Sequence, residues 1–227
     1  MANDPIPGTL VEVAVPGADD VKSVYQSETV TPNADGTTTT RHYDGSGTLT
    51  SQSVDGPNGH DVSVYGVTGQ TYTAYENLYD ASWSLKAQSL FNTDGSISSG
   101  AGDYAFGYGD GQRTIDAAAT AGSAGVDFAP GVKSSQLWLE RQGNDLQVDL
   151  LGSSDHVTVA DWFGGGGQPA VDHFGTADGS KLDGQVAQLV AAMASYSAGH
   201  PGFDPATATA MPADQNLLAS VAAAWHT

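Results

Sequence analysis

The stretch from Leu137 to Phe163 places the strongest limit on what this chain can fold into. Its apolar residues recur at every second position in three short runs, over 137–139, 146–150 and 157–159, and clusters of Gly, Asn, Asp and Ser separate the runs. Apolar alternation of period two, bounded by turn-forming residues, is typical of half-buried strands joined by tight turns. We therefore predict a three-stranded antiparallel meander here, closed by the apolar pair Trp162–Phe163.

Turn-forming dipeptides punctuate the rest of the chain. Asp is followed directly by Gly at several places between Asp35–Gly36 and Asp183–Gly184. Asp-Gly favours hairpin turns, because Gly accepts the positive φ that a tight turn needs. A loose repeat of an aromatic residue, an acid or amide, a turn and an aliphatic residue occurs at 43–49, 79–85 and 91–97. It predicts successive hairpins whose aromatic side chains stack along one face.

The N-terminal half is predicted to be a leader followed by a polar β region. Residues 1–20 are rich in Pro, Gly and Asp, so we expect a mobile leader with at most one edge strand over 10–15. Residues 21–99 are rich in Thr, Ser and Tyr and have the composition of short strands. We assign them to a hairpin-rich β region.

The C-terminal half is predicted to be a second β domain with a helical tail. Residues 100–182 contain the meander, and residues 107–116 read as a turn run rich in Gly and Asp. In 183–227 the apolar spacing becomes helical, which predicts a helix at about 182–196 and a last helix capped by Asp214. The fold class is therefore mainly β, built from antiparallel hairpins, with one or two C-terminal helices.

Composition excludes several classes of partner. The chain carries 26 acidic and 7 basic residues, a formal charge of −19, which repels nucleic acids and anionic membranes. Carboxylates are also ligands for calcium. The chain has no Cys, so it forms no disulfides, and no apolar run reaches the roughly 20 residues of a membrane span. The N-terminal residues lack the basic and apolar segments of a secretory signal peptide.

Two stretches resemble a known family. Residues 103–115, DYAFGYGDGQRTI, are similar to the strand and turn at the end of RTX (haemolysin-type calcium-binding) repeat arrays. Residues 126–182 resemble the haemolysin-type calcium-binding protein-related domain that follows such arrays, notably in the run 155–163 that ends in Asp-Trp-Phe and in the closing turn 177–180. The resemblance implies an RTX-like β domain, calcium, and secretion by a type I secretion system that reads an uncleaved signal in the tail, here 183–227.

The calcium residues implied by this resemblance lie in and around one glycine-rich turn. The repeat pattern places Gly109 and Gly111 at its second and third glycines and Arg113 at its aspartate. A guanidinium group has no lone pair for calcium. The predicted metal-site residues are Asp103, Gly109, Asp110, Gly111 and Asp116.

Motifs of catalysis are not found in the sequence. It has no Gly-x-Ser-x-Gly elbow and no His-Glu-x-x-His, and the glycines 164–167 are not followed by Lys-Ser or Lys-Thr. Asp155–His156 and Asp172–His173 are neighbours, but adjacent residues of a strand point to opposite faces, so neither is expected to form a dyad. We therefore predict no enzyme, although a small hydrolase stays open as a third alternative.

The predicted function is a non-enzymatic folding and export module of a type I-secreted, calcium-associated bacterial protein. The alternative is an extracellular adhesin or carbohydrate-binding module that recognises a glycan or cell-surface ligand. In that case aromatic side chains would stack on sugar rings. The candidate ligand-binding residues are Tyr65, Tyr72, Tyr75, Tyr79 and Trp83.

Overall fold

The computed structural model describes residues 6–7, 27–116, 124–164 and 171–227. The strand predicted over 10–15 lies outside these residues. The described chain forms three β-sheets and two α-helices, so the predicted fold class, mainly β with antiparallel sheets and C-terminal helices, is confirmed. Neither helix is both long and apolar enough to cross a membrane.

The first sheet is an eight-stranded antiparallel meander in which each strand pairs with the next along the chain. Its strands are β1 (Ile6–Pro7), β2 (Ser27–Pro32), β3 (Thr38–Tyr43), β4 (Leu49–Gly56), β5 (Gly59–Tyr65), β6 (Tyr72–Asp80), β7 (Leu85–Asn92) and β8 (Ile97–Gly102). The three repeats are hairpins, as predicted. In an antiparallel meander, however, the β6–β7 turn lies at the opposite end from the β3–β4 and β7–β8 turns. The three aromatic residues therefore do not form one row.

The remaining strands form two four-stranded sheets. These strands are β9 (Tyr104–Phe106), β10 (Gln112–Ile115), β11 (Ala124–Phe128), β12 (Leu137–Gln142), β13 (Asp145–Leu150), β14 (His156–Val159), β15 (Val171–Thr176) and β16 (Lys181–Leu182). The second sheet has the order β10-β14-β13-β12 and the third sheet the order β16-β15-β11-β9. The meander β12–β13–β14 was predicted from alternation, and its pairing is antiparallel, as is that of the hairpin β15–β16.

Parallel pairing, which the sequence patterns did not reveal, joins strands that are distant along the chain. β10 runs parallel to β14, and β11 runs parallel to both β9 and β15. From β9 the chain passes to β10 in the second sheet, then to β11 in the third, then through β12 and β13 to β14 and finally to β15. This alternation between two sheets builds a short β-roll. Residues 112–115 were predicted as part of a turn, which was wrong, because they form strand β10. Local patterns could not indicate this strand, since its parallel partner β14 lies over forty residues away along the chain.

Both predicted helices are present, and they close the roll. Helix α1 spans Val186–Gly199 and helix α2 spans Gln215–Ala224. Asp214 caps α2 as predicted, since its Oδ1 accepts the Leu217 N–H at 2.9 Å. The inward side chains of both helices join the roll and part of the first sheet in one apolar core. The largest fully buried side chain in that core is Trp138, whose ring centroid lies 4.4 Å from that of Phe203.

Candidate functional site

The glycine-rich turn between β9 and β10 is closed by an aspartate from another turn. Gly109 and Gly111 have φ of +101° and +76°, conformations that side chains rarely adopt. Their N–H groups each donate to a carboxylate oxygen of Asp155 at 2.9 Å. Asp155 directly precedes β14, the parallel partner of β10. The turn is therefore an anion-binding loop that the chain fills with its own carboxylate.

Calcium does not fit this turn. The side-chain Nε of Arg113 donates to the carbonyl oxygen of Asp110 at 2.7 Å, and the guanidinium lies 4.5 Å from the ring centroid of Phe91. The Asp110 carboxylate points inward and accepts the Gly107 N–H. Calcium needs six to eight oxygen ligands. At this turn the Arg113 side chain binds the Asp110 carbonyl oxygen, and the N–H groups of Gly109 and Gly111 bind the Asp155 carboxylate, so these oxygens are already engaged.

Three carboxyl groups meet where the first sheet packs on the roll. Asp61 lies on β5, Glu76 on β6 and Asp110 on the glycine-rich turn, and all three are buried. Glu76 is within hydrogen-bonding reach of both aspartates. Both Glu76 oxygens and one Asp61 oxygen find no N–H or O–H partner among the described residues. Burial, followed by the charges of its two neighbours, raises the pKa of Glu76 well above its ordinary value. Burial likewise raises the pKa of Asp110 to about 6. The cluster therefore keeps its protons to a higher pH than exposed carboxyl groups do.

A second cluster lies at the third sheet and consists of Asp103, Asp127 and His173. One ligand atom from each side chain can be chosen so that all three atoms lie within 4.8 Å of one another. The His173 Nε2 and the Asp103 Oδ2 are 3.2 Å apart. Burial, and next the charge of Asp103, raise the pKa of Asp127. Among the described residues, this is the group of side chains that could hold a metal ion.

Sheet register explains how these three side chains meet. Gly125 on β11 lies opposite His173 on β15, and Asp103 directly precedes β9, the other neighbour of β11. A Cβ built on Gly125 would come 2.2 Å from the His173 ring, so only glycine lets the imidazole cross to Asp103. Two residues further along, Asp127 lies beside Gly175, where a Cβ would come 2.4 Å from its carboxylate. Two glycines thus make room for the cluster.

Asp172 completes the surroundings of His173. Its Oδ1 contacts the His173 Nδ1, although adjacent strand residues were expected to point apart. The expectation was wrong because the register shifts here. Val171 pairs with Ala124 and His173 with Gly125, so Asp172 is the extra residue of a β-bulge. A bulge re-aims a side chain.

The cluster lines a pocket of about 410 Å³ between the roll and one end of the first sheet. Asp80 and Lys86, from the β6–β7 hairpin, and Lys181 from β16 also line the pocket. The sequence offered one signal for it: Asp103 was singled out as an oxygen ligand. Its partners could not be found, because they come from strands that are brought together only by parallel pairing.

The predicted calcium residues do not converge on one site. Asp103 belongs to the pocket cluster and Asp110 to the buried carboxyl cluster. Gly109 and Gly111 direct their N–H groups at Asp155. Asp116 is exposed at the end of β10.

The predicted aromatic residues also differ in their surroundings. Tyr75 and Tyr79 are buried, with 5% and 4% of their surface exposed. Tyr65 and Tyr72 are half-buried. Trp83 is exposed, and its ring stacks on His60 with centroids 3.7 Å apart. The described geometry therefore presents Trp83, rather than five rings, to a ligand.

Comparison with protein families identifies one segment of the roll. Residues 145–185 match the family model of the haemolysin-type calcium binding protein related domain. The match covers β13 to β16, and the relationship expected from the sequence is confirmed for this segment.

Proposed function

We propose that this chain, whose residues 145–185 form a haemolysin-type calcium binding protein related domain, is a non-enzymatic folding and export module of a type I-secreted bacterial protein. The observation that carries the proposal is the position of the matched segment. Its strands lie in both sheets of the roll, and helices α1 and α2 pack on the same core. The module therefore combines the end of a β-roll with a helical tail, the order expected of such secreted proteins.

The helical tail determines how export has to be tested. Leu189 and Met193 of α1 and Leu217 of α2 are buried in the roll's core. Deleting 183–227 would expose that core, so lost secretion could reflect misfolding alone. Fusing 183–227 to an unrelated passenger avoids this problem.

The fusion should appear in the medium of cells that carry a type I exporter and stay inside cells that lack it. A fusion of 27–102, which contains strands β2 to β8 of the first sheet, is the matched control and should stay inside both. In the full chain, Leu218→Asp changes an exposed position of α2 and tests whether the helix surface is read. Equal retention of the tail fusion and the control would contradict the proposal.

Calcium is the metal of the related family, and its role in this chain is tested separately. Because Asp155 and Arg113 occupy the glycine-rich turn, we propose that this turn folds without calcium. Metal-free protein titrated with calcium to millimolar concentration should melt within about 2 °C of its starting point. Circular dichroism monitors the melting. A rise in the melting temperature of about 10 °C or more would instead establish calcium-linked folding.

A second function, ligand binding by Trp83, is favoured by one observation. Trp83 has φ of +64°, and it occupies the turn position at which the similar hairpin turns carry Gly47 and Gly95. In each of these turns, the N–H of this residue donates to the carbonyl three residues earlier. A bulky side chain in this conformation is strained, and such strain is often kept for function. A glycan array should therefore show binding by wild type and loss of binding by Trp83→Gly.

A further inference from the structure

We propose that Asp103, Asp127 and His173 form a binding site for one divalent transition-metal ion of the Zn²⁺ class. This site is distinct from the glycine-rich turn, at which the related family would hold calcium. Imidazole nitrogen is a ligand that zinc, copper, iron and nickel accept, whereas calcium takes oxygen ligands. The donor set therefore selects against calcium.

The spacing of the donor atoms suits an ion between them. Zinc bonds to His nitrogen and carboxylate oxygen are roughly 2.0–2.2 Å long, so two ligand atoms of a tetrahedral site lie about 3.3–3.5 Å apart. The His173 Nε2 and the Asp103 Oδ2 are already 3.2 Å apart. One ligand atom from each of Asp103, Asp127 and His173 can be chosen so that all three lie within 4.8 Å of one another, so bound metal would draw the donor of Asp127 closer to the other two.

Two further contacts hold the ligands as a metal site requires. The Nδ1 of His173 contacts the Asp172 carboxylate, which can accept its proton, and this leaves Nε2, which faces the Oδ2 of Asp103, as the ligand atom. The Gly125 N–H donates to the Oδ1 of Asp103 at 2.7 Å and leaves Oδ2 free for an ion. A carboxylate on the second nitrogen of a ligating histidine is a recurrent feature of metal sites. The bulge at Asp172 and the glycine at 125 are therefore explained together.

The site has room for a ligand that does not come from the protein. Three protein ligands leave the fourth position of a tetrahedral ion unfilled, and the cluster borders the pocket of about 410 Å³. Without metal, the same geometry is a hydrogen-bonded histidine between two aspartates. Metal binding has to be measured to distinguish the two.

The experiment uses the full chain after treatment with a chelator. Titration with Zn²⁺ in a calorimeter should show one equivalent bound, and Co²⁺ should give the visible absorption of a tetrahedral site. His173→Gln and Asp127→Asn should each weaken binding at least 10-fold. Asp172→Asn, which removes a contact behind the histidine and not a ligand, should weaken it about 10- to 100-fold.

His200→Gln is the matched control, because His200 is exposed at the end of α1 and bonds to the Tyr196 carbonyl. It should bind as wild type does, and a large excess of calcium should not compete. Thermal melting of each variant without metal separates loss of a metal ligand from loss of the fold. If His173→Gln does not fold, the binding measured for Asp127→Asn decides the test. The proposal is overturned if wild type binds no Zn²⁺, or if Asp127→Asn and His173→Gln bind as tightly as wild type.

Discussion

Trp83 has a backbone conformation that does not suit its bulky side chain. Four hairpin turns carry a glycine with φ between +82° and +90° at the equivalent position, namely Gly36, Gly47, Gly95 and Gly179. A non-glycine residue in this region costs about 1 kcal/mol. Stacking of the Trp83 ring on His60 offsets a similar amount.

We therefore predict that Trp83→Gly leaves the free energy of unfolding within about 1 kcal/mol of wild type, because strain and stacking are lost together. Gly47→Ala has no stacking to gain and should destabilise by about 1 kcal/mol. Urea unfolding of both variants measures the difference. A Trp83→Gly variant destabilised by more than 3 kcal/mol would show that the ring holds the fold instead.

Asp149 gives a pH-dependent prediction at a single residue. Burial raises the pKa of Asp149 to about 7, although the Gln147 side chain donates to its Oδ1 at 2.7 Å. His156 approaches only to 3.9 Å, too far for a hydrogen bond. Because the pKa of Asp149 is higher in the folded than in the unfolded protein, the stability that its protonated form contributes is fully present below the pKa of the unfolded chain. This stability is lost as the pH rises through about 7.

Asp149→Asn keeps the shape and the Gln147 contact but cannot ionise. It should match wild type at pH 4 and be more stable at pH 8, by on the order of 2 kcal/mol. Thermal melts at several pH values check this. A variant less stable than wild type at pH 8 would mean that the native protein needs the charge.

At the scale of the element, the glycine-rich turn depends on a carboxylate from a different turn. Asp155→Ala would leave the N–H groups of Gly109 and Gly111 without their partner, so we predict a loss of about 2–3 kcal/mol in the free energy of unfolding. Asp155→Asn keeps an acceptor oxygen and should lose less. Urea unfolding of the two variants, followed by Trp fluorescence, provides the comparison. Equal stability of Asp155→Ala and wild type would contradict the role of this contact.

The elements predicted from sequence are those that local patterns determine. Alternation over 137–159 fixed the strands β12 to β14, and helical spacing fixed α1 and α2 to within a few residues. Gln112–Ile115 was missed as a strand because four residues behind a glycine-rich turn carry too little pattern, and their partner β14 is distant in sequence. Asp127 and His173 were missed for the same reason, since only parallel pairing across β11 brings them to Asp103.

On the scale of the whole molecule, acidic side chains lie both on the surface and in the interior. The chain has a net charge of −19, and much of this charge lies in exposed turns such as those of Asp44 and Asp80. Hydrogen bonds from Ser46 and Thr48 lower the pKa of Asp44, and hydrogen bonds from Ser82 and Ser84 lower the pKa of Asp80, so both residues stay ionised. Glu76, buried between the first sheet and the roll, shows the opposite shift. Surface acids thus favour solubility, and buried acids make the joint between the two parts sensitive to pH.

The last prediction concerns this joint. Because the folded pKa of Glu76 is raised, its contribution to stability is present at low pH and is lost as the pH rises through that value. Glu76→Gln removes the buried charge while its amide can still donate to Asp61 or Asp110, so it should be more stable than wild type at pH 8 by at least about 1 kcal/mol.

Acidification also reduces repulsion over the whole surface, which requires a control. Asp116→Asn removes one charge from an exposed position and should change stability by less than about 0.5 kcal/mol. If both variants change the dependence of stability on pH equally, general charge repulsion accounts for that dependence. If the dependence is flattened in Glu76→Gln alone, the pH response lies at the contact between the first sheet and the roll.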